Sequence, residues 1–429
     1  MKESIMPTIA RLAGLEILDS RGRPTVRATC WLAGGASGTV SVPSGASTGS
    51  AEALELRDRD PARYGGLGCR TAVGNVNGAL HDALAGREFA DQRALDEALL
   101  ALDGTTNKAR LGANALLAVS LAFARAVAAE RSIPLYAYFA EVAGLPLRHL
   151  PRPTINLFSG GKHAGGQVPI QDVLVVPAAA RTTDEALAAT YAVYQAAADL
   201  TREKYGTRAL TADEGGLAPP FPDAEAMLAD AVAAIERAGF APGREVALAL
   251  DVASSHFYEG GHYHLGGEPL DSAGMIAQIG AWLDRYPIVS VEDGLAEDDW
   301  EHWPALRAAV GDRALVLGDD FLCTNPARIR RAIDASAAGA LLLKVNQIGT
   351  LSEAADARAL AAGAGWHVTV SARSGETEDD WLADLAVGWA GQQIKVGSIT
   401  QSERLAKYNR LLVIEAETGL PLVGWPNGA

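Results

Sequence analysis

The sequence predicts an α/β protein in which a first domain, residues 1–144, precedes a βα barrel, residues 145–429. Three observations predict it. In the second part, apolar strand-like runs that end in a polar residue alternate with helical stretches. The polar residues closing these runs recur at a mean step of about 29 residues, the length of one βα unit. Pro146, Pro151 and Pro153 punctuate the chain where this rhythm begins, near residue 145.

The elements follow in order. Residues 7–35 carry short strand-like runs, with a turn signalled by Arg21-Gly22-Arg23-Pro24. Residues 36–50 hold a Gly/Ser-rich loop, and residues 110–131 are dense enough in apolar side chains for a buried helix. Beyond the boundary, VALALD ends at Asp251, PIVSVED carries Glu292 and ALVLGDD carries Asp319. ALLLKVN then carries Lys344, WHVTVSARS carries Arg373 and Ser374, and QQIKVGS carries Lys395. Continuous apolar strands alternating with helices imply a parallel sheet covered by helices. A doubly wound sheet is the rival arrangement, but it gathers ligands at one switch point, whereas here nearly every strand end contributes a polar residue. That distribution is the catalytic face of a barrel.

Composition removes several classes of function. The 429 residues include 37 Lys plus Arg and 52 Asp plus Glu, a formal net charge of −15, so a general nucleic-acid or anionic-membrane surface is not expected. The three cysteines, Cys30, Cys69 and Cys323, are too sparse for a disulfide framework or a zinc site and suit a cytoplasmic setting. The first twenty residues offer no apolar core for a signal peptide, and no uninterrupted apolar run is long enough for a membrane span. No P-loop, GxGxxG fingerprint or GxSxG elbow is present.

Asp251, Glu292 and Asp319 close three successive strands, whose ends converge in a barrel. Singly, each reads as an ordinary helix N-cap. Together they repel unless a cation lies among them, and hard oxygen ligands favour Mg²⁺, with Mn²⁺ an alternative. Lys344 interrupts an apolar run and is costly there unless paired. Near a metal and other cations its pKa falls toward neutrality, which makes it a candidate base. Arg373 and Ser374 offer a fork and a hydroxyl for a phosphate. With Lys395 they describe a site for a small multivalent anion, against the plainer reading of ion pairs across a barrel mouth. His163, in the Gly-rich segment SGGKHAGG, suits a lid or a solvated loop equally. Glu214, before two glycines in ADEGGLAPP, suits a loop held against a ligand or a simple turn.

The ordered set EILDSRGRPTV, VPSGASTG, SGGKHAGG, ADEGGLAPP, ALDVASS, SVEDGLAEDDW, LLLKVNQIGTLSE, SARSGETEDD and SERLAKYN resembles the enolase family from about residue 9 to residue 420. The resemblance implies a small α+β N-terminal domain followed by an eight-stranded barrel with an atypical start. It implies a Mg²⁺-dependent dehydration of 2-phosphoglycerate to phosphoenolpyruvate, with two Mg²⁺ per site. Asp251, Glu292 and Asp319 match the ligands of one Mg²⁺, and Ser47 matches the residue reaching a second that arrives with substrate. Lys344 matches the base at C2. Glu214 matches the carboxylate assisting departure of the C3 hydroxyl, and Asp172 stands where a second carboxylate is usual. Arg373 and Ser374 match phosphate binders, Lys395 the group holding the substrate carboxylate, and His163 the lid histidine. A homodimer, or an octamer of dimers, through the N-terminal domain is also implied.

The chain departs from the family pattern on the leaving-group side. Ala372 stands where a histidine precedes the arginine, and Asp172 replaces a glutamate. His256 replaces an acid, and Arg23 replaces an asparagine. Three functions are compatible with this pattern. The first is an enolase with a rearranged acid network. The second is an enolase-derived biosynthetic enzyme acting on a bulkier phosphoglycerate, such as a carboxyphosphonoenolpyruvate synthase of a phosphinate or phosphonate antibiotic pathway. The third is a non-catalytic binding protein, which the retained lysines and carboxylates disfavour.

Overall fold

The computed structural model describes residues 6–46, 48–206 and 210–424. Strands β1 (Ile9–Leu18), β2 (Pro24–Leu32) and β3 (Ser37–Ser41) form an antiparallel meander. Asp19 closes the first turn, its Oδ1 accepting from the backbone N–H groups of Arg21 and Arg23, each at 2.9 Å. The helix Ala113–Glu130 lies against β2 and β3 and is buried over nearly its whole length. It is long and apolar enough to cross a membrane, yet its apolar surface is consumed by protein core. Gly38 allows the approach, because a Cβ there would stand 2.3 Å from the Ala122 carbonyl oxygen.

The second part closes into a barrel of eight strands among the described residues. They are β4 (Arg152–Ser159), β5 (Asp172–Val176), β6 (Ala247–Asp251), β9 (Ile288–Glu292), β10 (Leu315–Gly318), β11 (Ala340–Leu343), β12 (His367–Ser371) and β13 (Gln393–Lys395). A small hairpin, β7 (Tyr258–Glu259) and β8 (His262–Tyr263), lies outside the barrel between β6 and β9. The atypical start is β5, which runs antiparallel to both β4 and β6, whereas the other neighbours pair in parallel. The first residue of β5 therefore lies at the mouth where the parallel strands end. The βα rhythm revealed the last six strands only. A loop, residues 160–171, separates β4 from β5, and two helices, Thr183–Tyr205 and Ala224–Arg237, separate β5 from β6.

The two parts share buried polar contacts. Asp96, on the helix Gln92–Asp103, is fully buried. Its Oδ1 accepts from Gln92 Nε2 at 3.0 Å and Ser120 Oγ at 2.6 Å. Its Oδ2 accepts from the backbone N–H and hydroxyl of Ser352, at 2.8 and 2.6 Å, on the barrel helix Leu351–Gly363. One carboxylate thus ties the first domain to a barrel helix N-terminus. Removing it orphans several buried donors. Asp96→Ala is expected to lower the unfolding free energy by about 2–4 kcal/mol in urea denaturation, and Asp96→Asn by less.

Candidate active site

The barrel mouth is built from strand ends held in register. Ser159 pairs with Asp172, Asp172 with Asp251, and Asp251 with Glu292 across β4, β5, β6 and β9. Asp319 follows β10, Lys344 follows β11, Arg373 and Ser374 follow β12, and Lys395 ends β13. A small cavity opens there. Among the sequence-predicted residues, His163, Glu214, Asp251, Lys344, Arg373, Ser374 and Lys395 line it. Asp172, Glu292 and Asp319 stand behind, bound to His163, Lys395 and Lys344 respectively. Ser47, expected at a second metal, lies outside the described residues.

The charges are buried and shared. Lys395 Nζ donates to Asp251 Oδ2 at 2.8 Å and to Glu292 Oε2 at 2.7 Å. Burial pushes the Asp251 carboxyl up, but Lys395 outweighs it and holds the group at about 2. Glu292 is left well above the carboxylate range by burial and by the Asp251 charge. One ammonium cannot balance both acids. Lys344 pairs with Asp319, whose other oxygen accepts from Gln347 Nε2 at 2.9 Å. Burial works to lower the Lys344 ammonium, but Asp319 overrides it and holds the lysine above its ordinary range. The lowered pKa expected of a base is thus not a property of the protein groups alone. Asp293 fixes the turn carrying Asp319 by accepting from the backbone N–H groups of Asp319 and Asp320, at 2.9 and 2.8 Å.

Asp251, Glu292 and Asp319 offer carboxylate oxygens, the donor a hard divalent cation takes, and all three are at least 95% buried. Among the described residues, the all-carboxylate group whose oxygens lie within 4.8 Å of one another is instead Asp293, Asp319 and Asp320.

The wall carrying Arg373 and Ser374 reaches into the first domain. Glu52 accepts both arms of the Arg373 guanidinium, at 3.0 and 3.1 Å, and Asn346 accepts from it at 2.9 Å. Arg21 donates to Ser374 Oγ at 3.2 Å and to the Ser44 carbonyl at 3.1 Å. Sequence reasoning did not single out Glu52, Arg21, Asn346 or Gln347 as site residues, although three lie inside the recognisable segments and Glu52 just after one.

The opposite wall carries His163 and Glu214. His163 is not a solvated loop residue: it is buried in a short helical turn, Gly161–His163, although Lys162, Gly165 and Gly166 beside it are exposed. Its Nδ1 lies 2.8 Å from Asp172 Oδ2, and its Nε2 lies 3.7 Å from Glu214 Oε1. Asn156 Nδ2 donates to Glu214 Oε2 at 3.0 Å. Burial alone would lower the imidazole, but Asp172 and Glu214 raise it from 6.5 to about 9. Glu214 is pushed up by burial and pulled down further by His163, Arg404 and the two lysines, so it stays ionised. Ala372 also lines the cavity, offering a methyl group where the resemblance leads one to expect an imidazole.

Two outcomes follow. Mg²⁺ at about one hundred times its dissociation constant is expected to raise the unfolding free energy by about 2.7 kcal/mol. Glu292→Ala is expected to abolish that increment; an equal response of both proteins would remove Glu292 from the metal site. Separately, His163 has a folded pKa of about 9 against an ordinary 6.5, so its ion pair stabilises fully below about pH 6.5 and is lost as pH rises through about 9. The stability difference between the unmodified protein and His163→Gln is expected to narrow across that window in chemical denaturation.

Comparison with known families gives two matches. The family model described as "Enolase, N-terminal domain" matches residues 9–139, and that described as "Enolase, C-terminal TIM barrel domain" matches residues 148–422.

Proposed function

The chain belongs to the enolase family, and from that premise we propose that it is a Mg²⁺-dependent lyase that removes the C2 proton of 2-phosphoglycerate and eliminates water to give phosphoenolpyruvate, reversibly. One observation supports this reading most. A single cavity is lined by Lys344, Lys395 and the Arg373–Ser374 pair on one side and by His163 and Glu214 on the other, with three buried carboxylates against the lysines.

A proton next to a carboxylate is very weakly acidic, and removing it generates a dianionic aci-carboxylate. Mg²⁺ held by Asp251, Glu292 and Asp319 would supply stabilisation of that charge and neutralise the acids that keep Lys344 protonated. Lys344, once neutral, takes the C2 proton on Nζ. Arg373 and Ser374 hold the phosphate, and Lys395 holds the substrate carboxylate. The wall opposite Lys344 meets the C3 hydroxyl.

Ala372 supports a second reading. A methyl group in place of an imidazole leaves room beside the leaving group, which suits a bulkier phosphoglycerate analogue of the kind converted to carboxyphosphonoenolpyruvate.

The test is one assay on 2-phosphoglycerate with Mg²⁺, following C2 deuterium exchange by NMR and phosphoenolpyruvate by absorbance. Exchange is expected, and Lys344→Ala is expected to reduce it by about 10³-fold. No exchange at any Mg²⁺ level would sink the proposal. Exchange without net dehydration favours the bulkier substrate. In that case Ala372→His is expected to raise dehydration of 2-phosphoglycerate.

A further inference from the structure

We infer that His163, through Nε2–H, is the proton donor to the departing C3 oxygen, and that Asp172 and Ser159 are positioning residues that aim it. This rests on the reaction proposed above and assigns its second half.

The first ground is the commitment of Asp172. It is wholly buried. Its Oδ1 accepts from Ser159 Oγ at 2.5 Å, and its Oδ2 faces His163 Nδ1 at 2.8 Å. Both carboxylate oxygens are therefore engaged behind the wall, and Asp172 does not line the cavity, whereas His163 and Glu214 do. The shorter acid at this position reaches the histidine rather than the substrate space.

The second ground is how the array is fixed. Ser159 ends β4, Asp172 begins β5, and the two are register partners in the antiparallel ladder. The backbone N–H of Gly160 donates to the Gln171 carbonyl at 2.7 Å, and that of Ser159 to the Leu217 carbonyl at 2.9 Å. The hydroxyl and the carboxylate are thus set by backbone pairing, and the imidazole is held by its contact with that carboxylate. A carboxylate on Nδ1–H fixes the ring orientation and directs Nε2–H outward.

The third ground is where the outward proton points. Nε2 stands 3.7 Å from Glu214 Oε1, too far for a hydrogen bond. Its proton is not committed to Glu214, whose other oxygen is held by Asn156. Glu214 remains ionised and serves to keep the imidazolium charged. Ala372 removes any competing donor from its position, so His163 is the one imidazole lining the cavity among the described residues.

The step balances. Lys344 removes the C2 proton, and the electron pair remains on the aci-carboxylate. That pair then forms the C2=C3 bond while the C3–O bond breaks with its electrons on oxygen. The oxygen takes the Nε2 proton and leaves as water, and His163 is left neutral until solvent reprotonates it.

The experiment compares the unmodified enzyme with His163→Gln, Asp172→Asn and Ser159→Ala, with Mg²⁺ and 2-phosphoglycerate. His163→Gln is expected to reduce dehydration by about 10²-fold, Asp172→Asn by about tenfold and Ser159→Ala by less, while C2 exchange persists in all three. Unchanged dehydration in His163→Gln overturns the inference. A larger loss in Asp172→Asn than in His163→Gln also overturns it, because Asp172 would then act on substrate itself. NMR of protein with ¹⁵N-labelled histidine gives a readout independent of turnover. His163 is expected to carry protons on both ring nitrogens at neutral pH, with a downfield Nδ1 proton that moves upfield in Asp172→Asn and Ser159→Ala. A neutral His163 with no proton on Nε2 overturns the assignment. Absence of exchange in the unmodified enzyme would sink the proposed reaction, and the NMR measurement would still decide the array.

Discussion

Carboxylates buried side by side on neighbouring strands are the constraint on which this structure rests. Asp172, Asp251 and Glu292 occupy matched register positions on β5, β6 and β9 and are almost excluded from solvent. Like charges in low dielectric repel strongly, and each demands a partner. The partners account for much of the rest of the mouth. His163 serves Asp172, Lys395 serves Asp251 and Glu292, and Lys344 serves Asp319. The balance is incomplete at Glu292, which burial and the Asp251 charge hold well above the carboxylate range.

The reversal of one strand divides this charge into two territories. Had β5 run parallel to its neighbours, its first residue would lie at the far end of the barrel. Running antiparallel, it brings Asp172 beside Ser159 and His163. The acids with ammonium partners are Asp251, Glu292 and Asp319. Asp172 takes an imidazole, and Glu214 an amide and the same imidazole at longer range. A lysine partner can be exchanged for a metal ion. An imidazole pinned by a carboxylate retains a proton to give. The reversed strand thus sets the carboxylates partnered by an imidazole beside those partnered by ammonium groups within one ring of side chains.

Much of this was legible in the sequence, for a physical reason. A strand buried on both faces is a continuous apolar run, so the polar residue that ends it stands out, and Asp251 through Lys395 are found that way. The barrel's start was not legible from rhythm, because β4 and β5 are joined by a loop and β5 is followed by two helices. Ser159 and Asn156 gave no signal, since a short polar residue in a strand is unremarkable until its partner is known. Glu52 was invisible because its partner Arg373 lies 321 residues away. The charge state of Lys344 was also out of reach of sequence. It depends on which oxygen stands beside the ammonium, and that oxygen belongs to Asp319, 25 residues earlier.

The contact between Glu52 and Arg373 changes how the first domain is understood. The Arg373 guanidinium is held at both arms by a carboxylate from the other domain, and Ser374 beside it is held by Arg21. This wall of the mouth is therefore built jointly by both domains, and the first domain is more than a cover. The same reasoning bears on an acidic chain of net charge −15 that contains only seven lysines. Such a chain repels a multivalent anion on average, so recognition requires cations concentrated at one place. Two of the seven, Lys344 and Lys395, lie at the mouth, each buried against acids that keep it protonated. Under the proposed reaction, neutralising those acids would free both lysines for the anion.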